Sequence, residues 1–350
     1  MITRREVVWG GVGAALGMGG VGHRFGAIWR GPAARGPAEV WLADRAAGAV
    51  WSCDGDGGLL ARVQVPAPIA LAPDGTGGVW VVSALEGVPL AAHQLLHLAP
   101  DGAFMERTPC APPPLRHGPR ILVCAAGQRV VVIEGVGGRA VASSLTSKGL
   151  CASPLGCEPR AIAARRGFLW CLGERGDLVA LRMSGAAIGM GAGVELPRCS
   201  SRATDRLPRE ATGLDLALDH DGRGAWVLGR TPGRSCIGRW HLDADGTPRR
   251  VWLRWLSFEA AAIAATRGGC AWIADARAPR AVALSGEGRV TVWRADLPGE
   301  GIEDVLAHAD GGAWFAAAGA LLRVGPSGES RPGQGRLGHV VSLASAIPMA

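Results

Sequence analysis

Gly269-Cys270-Ala271-Trp272-Ile273-Ala274-Asp275 sets a tryptophan inside a short apolar run directly after a glycine turn, and the phrase returns along the chain. It reads Val40-Trp41-Leu42-Ala43-Asp44, Gly77-Gly78-Val79-Trp80-Val81-Val82, Gly167-Phe168-Leu169-Trp170-Cys171, Gly224-Ala225-Trp226-Val227-Leu228 and Gly312-Ala313-Trp314-Phe315-Ala316. A seventh copy, Gly127-Gln128-Arg129-Val130-Val131-Val132-Ile133, has Val131 in the tryptophan place. The anchors 41, 80, 131, 170, 226, 272 and 314 are about 45 residues apart on average. A period in the forties with short strands is the mark of a propeller blade rather than of a helical repeat.

Each unit parses into four antiparallel strands, a to d. Before the tryptophan strand comes an apolar strand a, at Ile69–Ala72, Ile121–Cys124, Ile162–Ala164, Leu214–Leu218, Ile263–Ala265 and Val305–Ala307. The a-to-b turns Asp74-Gly75, Asp221-Gly222 and Asp310-Gly311 suit positive φ in tight hairpins. A third strand follows at Gln94–Leu98, Leu178–Leu181, Arg239–Leu242, Ala281–Leu284 and Leu321–Val324, and it turns into strand d through Asp-Gly or Ser-Gly pairs. The first unit begins at its tryptophan strand, while the C-terminus has a spare strand, His339–Leu343. That strand is expected to pair beside Glu39–Asp44, closing a seven-bladed ring of four-stranded blades and removing an exposed edge.

The phrase Pro-x-x-Ile-Ala, Gly-Gly-x-Trp-x-Ala-Asp, Leu, Asp-Gly resembles the NHL-type repeat. Gly312-Ala313-Trp314-Phe315 with Leu322-Arg323-Val324-Gly325-Pro326-Ser327-Gly328 is similar to a blade of the streptogramin B (virginiamycin B) lyase family. The resemblance covers residues 38 to 343 and implies an all-β propeller; it specifies fold far better than activity. The lyase pattern puts a glutamate directly after its Trp-Phe-Thr strand, whereas Trp314-Phe315 here runs into Ala316-Ala317-Ala318. Gluconolactonase-type propellers are similar in repeat but bind metal partly through asparagine, which this chain lacks altogether.

Of the 350 residues 48% are hydrophobic and 19% charged, with 54 Gly and 23 Pro, a balance that fits a packed domain rather than disorder or fibre. The formal charge is +7, and Arg4, Arg5, Arg24 and Arg30 against Glu6 place +3 of it before residue 34, leaving +4. Without a basic run or stripe the domain has no electrostatic footprint for nucleic acid. Lys148 is the single lysine and neither Tyr nor Asn occurs, as a GC-rich bacterial genome would produce. Tyrosine nucleophiles are thereby excluded.

Thr3-Arg4-Arg5-Glu6 precedes an uncharged, Gly- and Ala-rich stretch from Val7 to Gly22, too short and too weakly apolar for a confident membrane span. It resembles a twin-arginine export signal. Residues 1–33 are therefore expected to be that signal and residues 34–350 a single propeller, periplasmic or secreted and monomeric. Membrane attachment would come only through an uncleaved N-terminal segment. Gly17-Met18-Gly19-Gly20-Val21-Gly22 matches G-x-G-x-x-G by letters but lacks a preceding strand.

Propeller ligands are expected over the central channel, where each strand d leads to the next strand a. Four residues before the Ile or Leu of strand a stand His117, Glu158, Thr212, Glu259 and, in the closing strand, His339, with Glu303 one place off the frame. Carboxylates and imidazoles facing one another there would suit Mg²⁺, Ca²⁺ or Mn²⁺, or would raise a pKa. Arg120, Arg160 and Arg209 stand close enough in sequence to neutralise the carboxylates instead. The first expectation is a binding or scaffold module that holds a protein, glycan or small-molecule ligand at the channel mouth. The alternative is a metal-dependent lyase or hydrolase using His117, Glu158, Glu259 and His339.

Asp54-Gly55-Asp56-Gly57-Gly58 resembles half a calcium loop but occupies a c-to-d turn, so it reads as a turn. The nine cysteines contain no C-x-x-C, and G-x-S-x-G, H-E-x-x-H and Walker A patterns are absent. Cys151 and Cys157 form a candidate disulfide, whereas Cys171 and Cys270 read as buried thiols. His93 and His97 read as loop entering strand c, and His220 and His308 as solvated turn residues.

Overall fold

Trp41, Trp80, Trp170, Trp226, Trp272 and Trp314 are all buried, each on the second strand from the axis of an antiparallel sheet. The structure is a computed structural model that describes residues 28–30, 37–85, 92–110, 123–126, 129–136, 139–146, 149–155, 158–165, 167–184, 187–188, 199–200, 206–244, 246–294, 302–317, 319–333 and 337–345. The described residues form seven sheets and no helix. None of them belongs to a helix long and apolar enough to cross a membrane.

From the axis outward, blade 2 is Pro68–Pro73, Val79–Leu85, Ala92–Leu98 and Phe104–Cys110, and blade 3 is Val123–Ala126, Arg129–Val136, Arg139–Thr146 and Gly149–Pro154. Blade 5 is Thr212–Leu218, Gly224–Thr231, Arg234–Leu242 and Pro248–Trp255, and blade 6 is Ala260–Ala265, Ala271–Asp275, Ala281–Leu284 and Val290–Arg294. Blade 7 is Ile302–Ala307, Ala313–Ala317, Ala320–Val324 and Ser330–Pro332.

Two blades depart from the uniform four-stranded expectation. Blade 4 has Pro159–Arg165, Phe168–Gly173 and Leu178–Ser184, but its fourth strand is broken into Ala187–Ile188 and Cys199–Ser200, both paired to the third. Six blades are therefore complete and one is interrupted. Blade 1 gains a strand: outside Val40–Asp44, Ala49–Cys53 and Leu59–Gln64 lies Ile28–Arg30, with Trp29 opposite Arg62.

The innermost strand of blade 1 is Val340–Ser345, which pairs antiparallel with Val40–Asp44, Leu343 opposite Leu42. The inner strands touch in the order blade 1 to blade 7, and Ile302–Ala307 returns to Val340–Ser345, so the C-terminal strand closes the ring as the sequence suggests. Pairing covers an edge that would otherwise present unpaired backbone groups.

Seven apolar clusters fill the seven interfaces between neighbouring blades. At the seam between blades 7 and 1, Trp314 and Phe315's neighbour Ala316 pack with Val40, Leu42, Val340 and Leu343. One aromatic burying 150–250 Å² is worth roughly 4–6 kcal/mol of transfer free energy at about 25 cal/mol per Å², so the tryptophans dominate the adhesion of blade to blade. Gly222 and Gly311 hold φ of 66° and 95° in the a-to-b turns, where a side chain would be strained.

Inner strands of neighbouring blades do not form ladders with one another, so their facing N–H groups need other partners. A bulge near the start of strand a recurs between Gly213 and Asp215 and between Ile302 and Asp304. Each aspartate after the bulge accepts its own strand's next N–H, Leu216 or Val305, and also the equivalent N–H of the next blade, Ile263 at 3.0 Å or Leu343 at 2.8 Å. Ser342 Oγ accepts the Leu71 N–H in the same way, stitching blade 1 to blade 2.

Candidate functional site

The channel-mouth candidates stand where strand a begins, on the face that also holds the b-to-c turns. Glu303 and His339 meet: His339 Nε2 bonds Glu303 Oε1 across the seam. Glu303 is itself the bulged residue between Ile302 and Asp304, which is why it falls off the sequence frame. Asp44 fixes this corner by accepting the Gly338 and His339 N–H groups at 2.6 and 2.9 Å.

Glu259 is gripped elsewhere. Arg277 donates to both of its oxygens at 2.8 Å and the Gly233 N–H adds a third bond at 2.9 Å. Glu158 is exposed, and its backbone carbonyl accepts the Glu174 N–H. Arg160, expected beside it, donates to Glu174 at 2.8 Å instead. Thr212 is exposed and its hydroxyl donates to the Arg230 carbonyl. His117 and Arg120 lie outside the described residues. Among the described residues no three His, Cys, Asp or Glu side chains gather as a metal-binding group. The arrangement on this face is one of paired charges distributed around the ring.

The opposite face, with the a-to-b and c-to-d turns, carries a device the sequence reading missed. A cationic or imidazole side chain on strand c lies over the blade's tryptophan and bonds an aspartate near the a-to-b turn. Arg239 covers Trp226 and pairs with Asp219, Arg323 covers Trp314 and pairs with Asp310, and His97 stacks on Trp80 at 4.0 Å with Nε2 2.9 Å from Asp74 Oδ2. The signal is present in the chain, since each partner is the residue registered opposite the tryptophan. Burial opposes ionisation of Asp74 most strongly, but bonds from His97 and Thr76 outweigh it and hold its pKa below the usual value. For Asp310 burial is likewise outweighed by the Gly312 N–H, His308 and Arg323.

Three histidine expectations are corrected. His93 lies within strand Ala92–Leu98, not in a loop, and its Nδ1 is buried without a partner among the described residues; burial lowers its pKa. His97 lies in the same strand, where it bonds Asp74 and stacks on Trp80. His308 is only 16% exposed and contacts Glu39, Asp310 and Arg323, whereas His220 is exposed as expected. Cys171 is buried and Cys270 half-buried; Cys157 lies outside the described residues, and with it the Cys151–Cys157 bridge. Asp54-Gly55-Asp56 is a turn in which Asp54 Oδ1 accepts the Asp56 and Gly58 N–H groups.

Also on this face, between blades 7 and 1, is a cavity of about 470 Å³ bounded by Pro37, Glu39, Asp54, Asp56, His308 and Arg323, among others. Its wall is densely charged, and much of the charge is paired internally: His308 with Glu39, and Arg323 with Asp310.

The ring of antiparallel blades makes the chain a β-propeller. Its architecture is that of lactonase and lyase propellers of known structure. A periplasmic gluconolactonase from Pseudomonas aeruginosa is 14% identical with a TM-score of 0.66, covering 89% of this chain and 100% of its own. A putative 6-phosphogluconolactonase from Bacteroides uniformis is 12% identical at 0.65, covering 88% and 99%. Virginiamycin B lyase from Staphylococcus aureus is 14% identical at 0.53, covering 84% and 87%. No protein-family model matches the chain, and neither does any curated protein.

Proposed function

We propose that this chain is an exported β-propeller that binds a protein partner or glycan at the mouth face of its ring. The observation supporting this reading is the pairing of the mouth carboxylates: Glu259 is clamped by Arg277 and Gly233, and Glu303 is joined to His339. Carboxylates so engaged are held in place with their oxygens already bonded to fixed donors, a poor arrangement for passing a proton to or from a substrate. Half-exposed pairs with spare lone pairs instead suit hydroxyl-rich or amide-rich partners. The export half of the reading is supported by Arg4-Arg5 ahead of a weak apolar stretch.

A metal-dependent lyase or hydrolase at the same mouth is the second reading, and the Glu303–His339 contact is what favours it. Thermal unfolding with Mg²⁺, Ca²⁺ and Mn²⁺ separates the two. The binding reading expects no ion-specific rise in Tm, and Glu259→Gln to lower Tm with or without ion. A specific ion at a hundred times its Kd would add about 2.7 kcal/mol; a rise of that kind, abolished by Glu303→Gln, would replace the binding reading with the metal one.

A further inference from the structure

We propose that the outer edge of blade 5 is a docking site for an extended acidic peptide, which it takes up as an added strand. The site lies on the flank of the ring and does not depend on the function proposed for the mouth.

Blade 1 shows how the ring accepts an added strand. Its outer strand Leu59–Gln64 bulges at Leu60, since Cys53 stands opposite Leu59 and Ser52 opposite Ala61. Ile28–Arg30 pairs antiparallel with Ala61, Arg62 and Val63, directly beyond the bulge. Pro248–Trp255 of blade 5 repeats the arrangement. Trp240 stands opposite Arg250 and Arg239 opposite Trp252, so Val251 is the bulged residue, and Trp252, Leu253 and Arg254 occupy the places of Ala61, Arg62 and Val63. The strand has eight residues and is the outermost of its sheet, with no strand beyond it among the described residues. Outward N–H and C=O groups along such an edge are unpaired and take a further strand readily. Elsewhere the edge is blunted: the outer strand of blade 7 has three residues and ends at Pro332, that of blade 4 is broken, and that of blade 2 carries Pro109. On blade 5 the proline, Pro248, stands at the first position, before the bulge.

The side chains select the charge of the incoming strand. Pro248–Trp255 carries arginines at 249, 250 and 254 and no acid. Leu253 packs towards blade 4 and Trp252 towards blade 6. On the blade 6 side Arg254 Nη1 donates to the Gly288 carbonyl at 2.8 Å, a bond that uses one of five donors and does not neutralise the guanidinium. On the blade 4 side exposed Arg234 covers Trp255, 3.9 Å from its ring. Among the described residues the surrounding carboxylates are Asp243, Glu259 and Glu287, each paired with an arginine, and Glu210, whose segment also presents exposed Arg206 and Arg209. Like charges set opposite one another oppose edge-to-edge pairing with a second copy of this strand, whereas carboxylates in the same places are attracted. Val251, 61% exposed, and Trp255, 37% exposed, add apolar contact on either side of Trp252–Arg254.

Fluorescence anisotropy of a labelled, end-blocked peptide that alternates glutamate with valine, titrated with the full chain, tests this. A version with proline at its centre keeps the charge but interrupts the pairing backbone, and a version that alternates lysine with valine reverses the charge. The acidic peptide is expected to bind, with both controls weaker by about tenfold or more. Amide hydrogen exchange in 249–255 should slow when it binds, while 59–64, whose edge is already covered, keeps its rate. Arg249→Glu combined with Arg254→Glu, both at exposed positions, should weaken the acidic peptide by about tenfold. If that variant fails to fold, the exchange pattern of the parent decides where the peptide lies. Equal binding of the proline version would make the edge a general polyanion surface. That result, failure of the acidic peptide to bind, protection confined to segments other than 249–255, or a folded double variant that binds like the parent would each overturn the proposal.

Discussion

His308 Nε2 lies 2.9 Å from Glu39 Oε2 and ties the a-to-b turn of blade 7 to the residue that leads into blade 1, 269 positions away in sequence. On the other face His339 meets Glu303 across the same seam. The junction where the two chain ends meet is therefore fastened on both faces by an imidazole and a carboxylate. Glu39→Gln keeps the shape and removes the charge. With both partners partly solvated, the expected loss is about 1 kcal/mol, a Tm lower by roughly 2 °C. Scanning calorimetry checks it; an unchanged Tm would show that the pair adds nothing to closure.

Asp304 bridges its own strand and the Leu343 N–H of the closing strand. Asp304→Ala strands that N–H at the inner edge, and the expected destabilisation is on the order of 1–3 kcal/mol. Amide hydrogen exchange should quicken in 340–345 while 92–98, in blade 2, keeps its protection. Uniform acceleration across both segments would mean that the aspartate acts on global stability alone.

Acid sensitivity follows from Asp74 and Asp310, whose pKa values are lowered in the folded chain. A carboxylate depressed in this way contributes stability above its unfolded pKa, about 3.9, and that contribution is lost as pH falls through the folded value. Replacing both by Asn should lower Tm at neutral pH and flatten its decline below about pH 4. If the acid limb of Tm against pH keeps its slope in the double variant, other carboxylates drive acid unfolding.

Export is expected to depend on Arg4 and Arg5. Changing both to Lys in a fusion to a reporter that is active only after folded export should keep the reporter in the cytoplasm. Undiminished export would remove the twin-arginine reading and leave a general secretory route.

The blade architecture could be read from the chain because each blade repeats a glycine turn and a tryptophan at nearly constant spacing, and both leave a compositional trace. Closure could be read for the same reason: the first unit lacks a strand and His339–Leu343 supplies one. Blade 4's broken fourth strand left no such trace, since outer strands carry little burial and hence little pattern. The mouth candidates were found as positions but not as a constellation. A period-based frame assumes regular strands, and the bulge between Ile302 and Asp304 shifts Glu303 by one place. Arg277, the true partner of Glu259, sits in the loop after Ala271–Asp275, where sequence distance says nothing of proximity. The seam cavity was invisible for a different reason: it arises from a hairpin that the sequence does not contain.

The first blade is finished by the last strand. Val340–Ser345 must come back to Val40–Asp44 over almost the whole length of the chain, and loop-closure entropy makes such long-range pairing a late event in folding. On the ribosome the seven blades can stack through six interfaces while the seventh stays open, with Leu42 and Trp314 exposed to solvent until the closing strand emerges. A chain cut short anywhere before residue 340 would keep that apolar edge and be treated by chaperones and proteases as unfinished. The ring thus stays open until its own closing strand, Val340–Ser345, has been made.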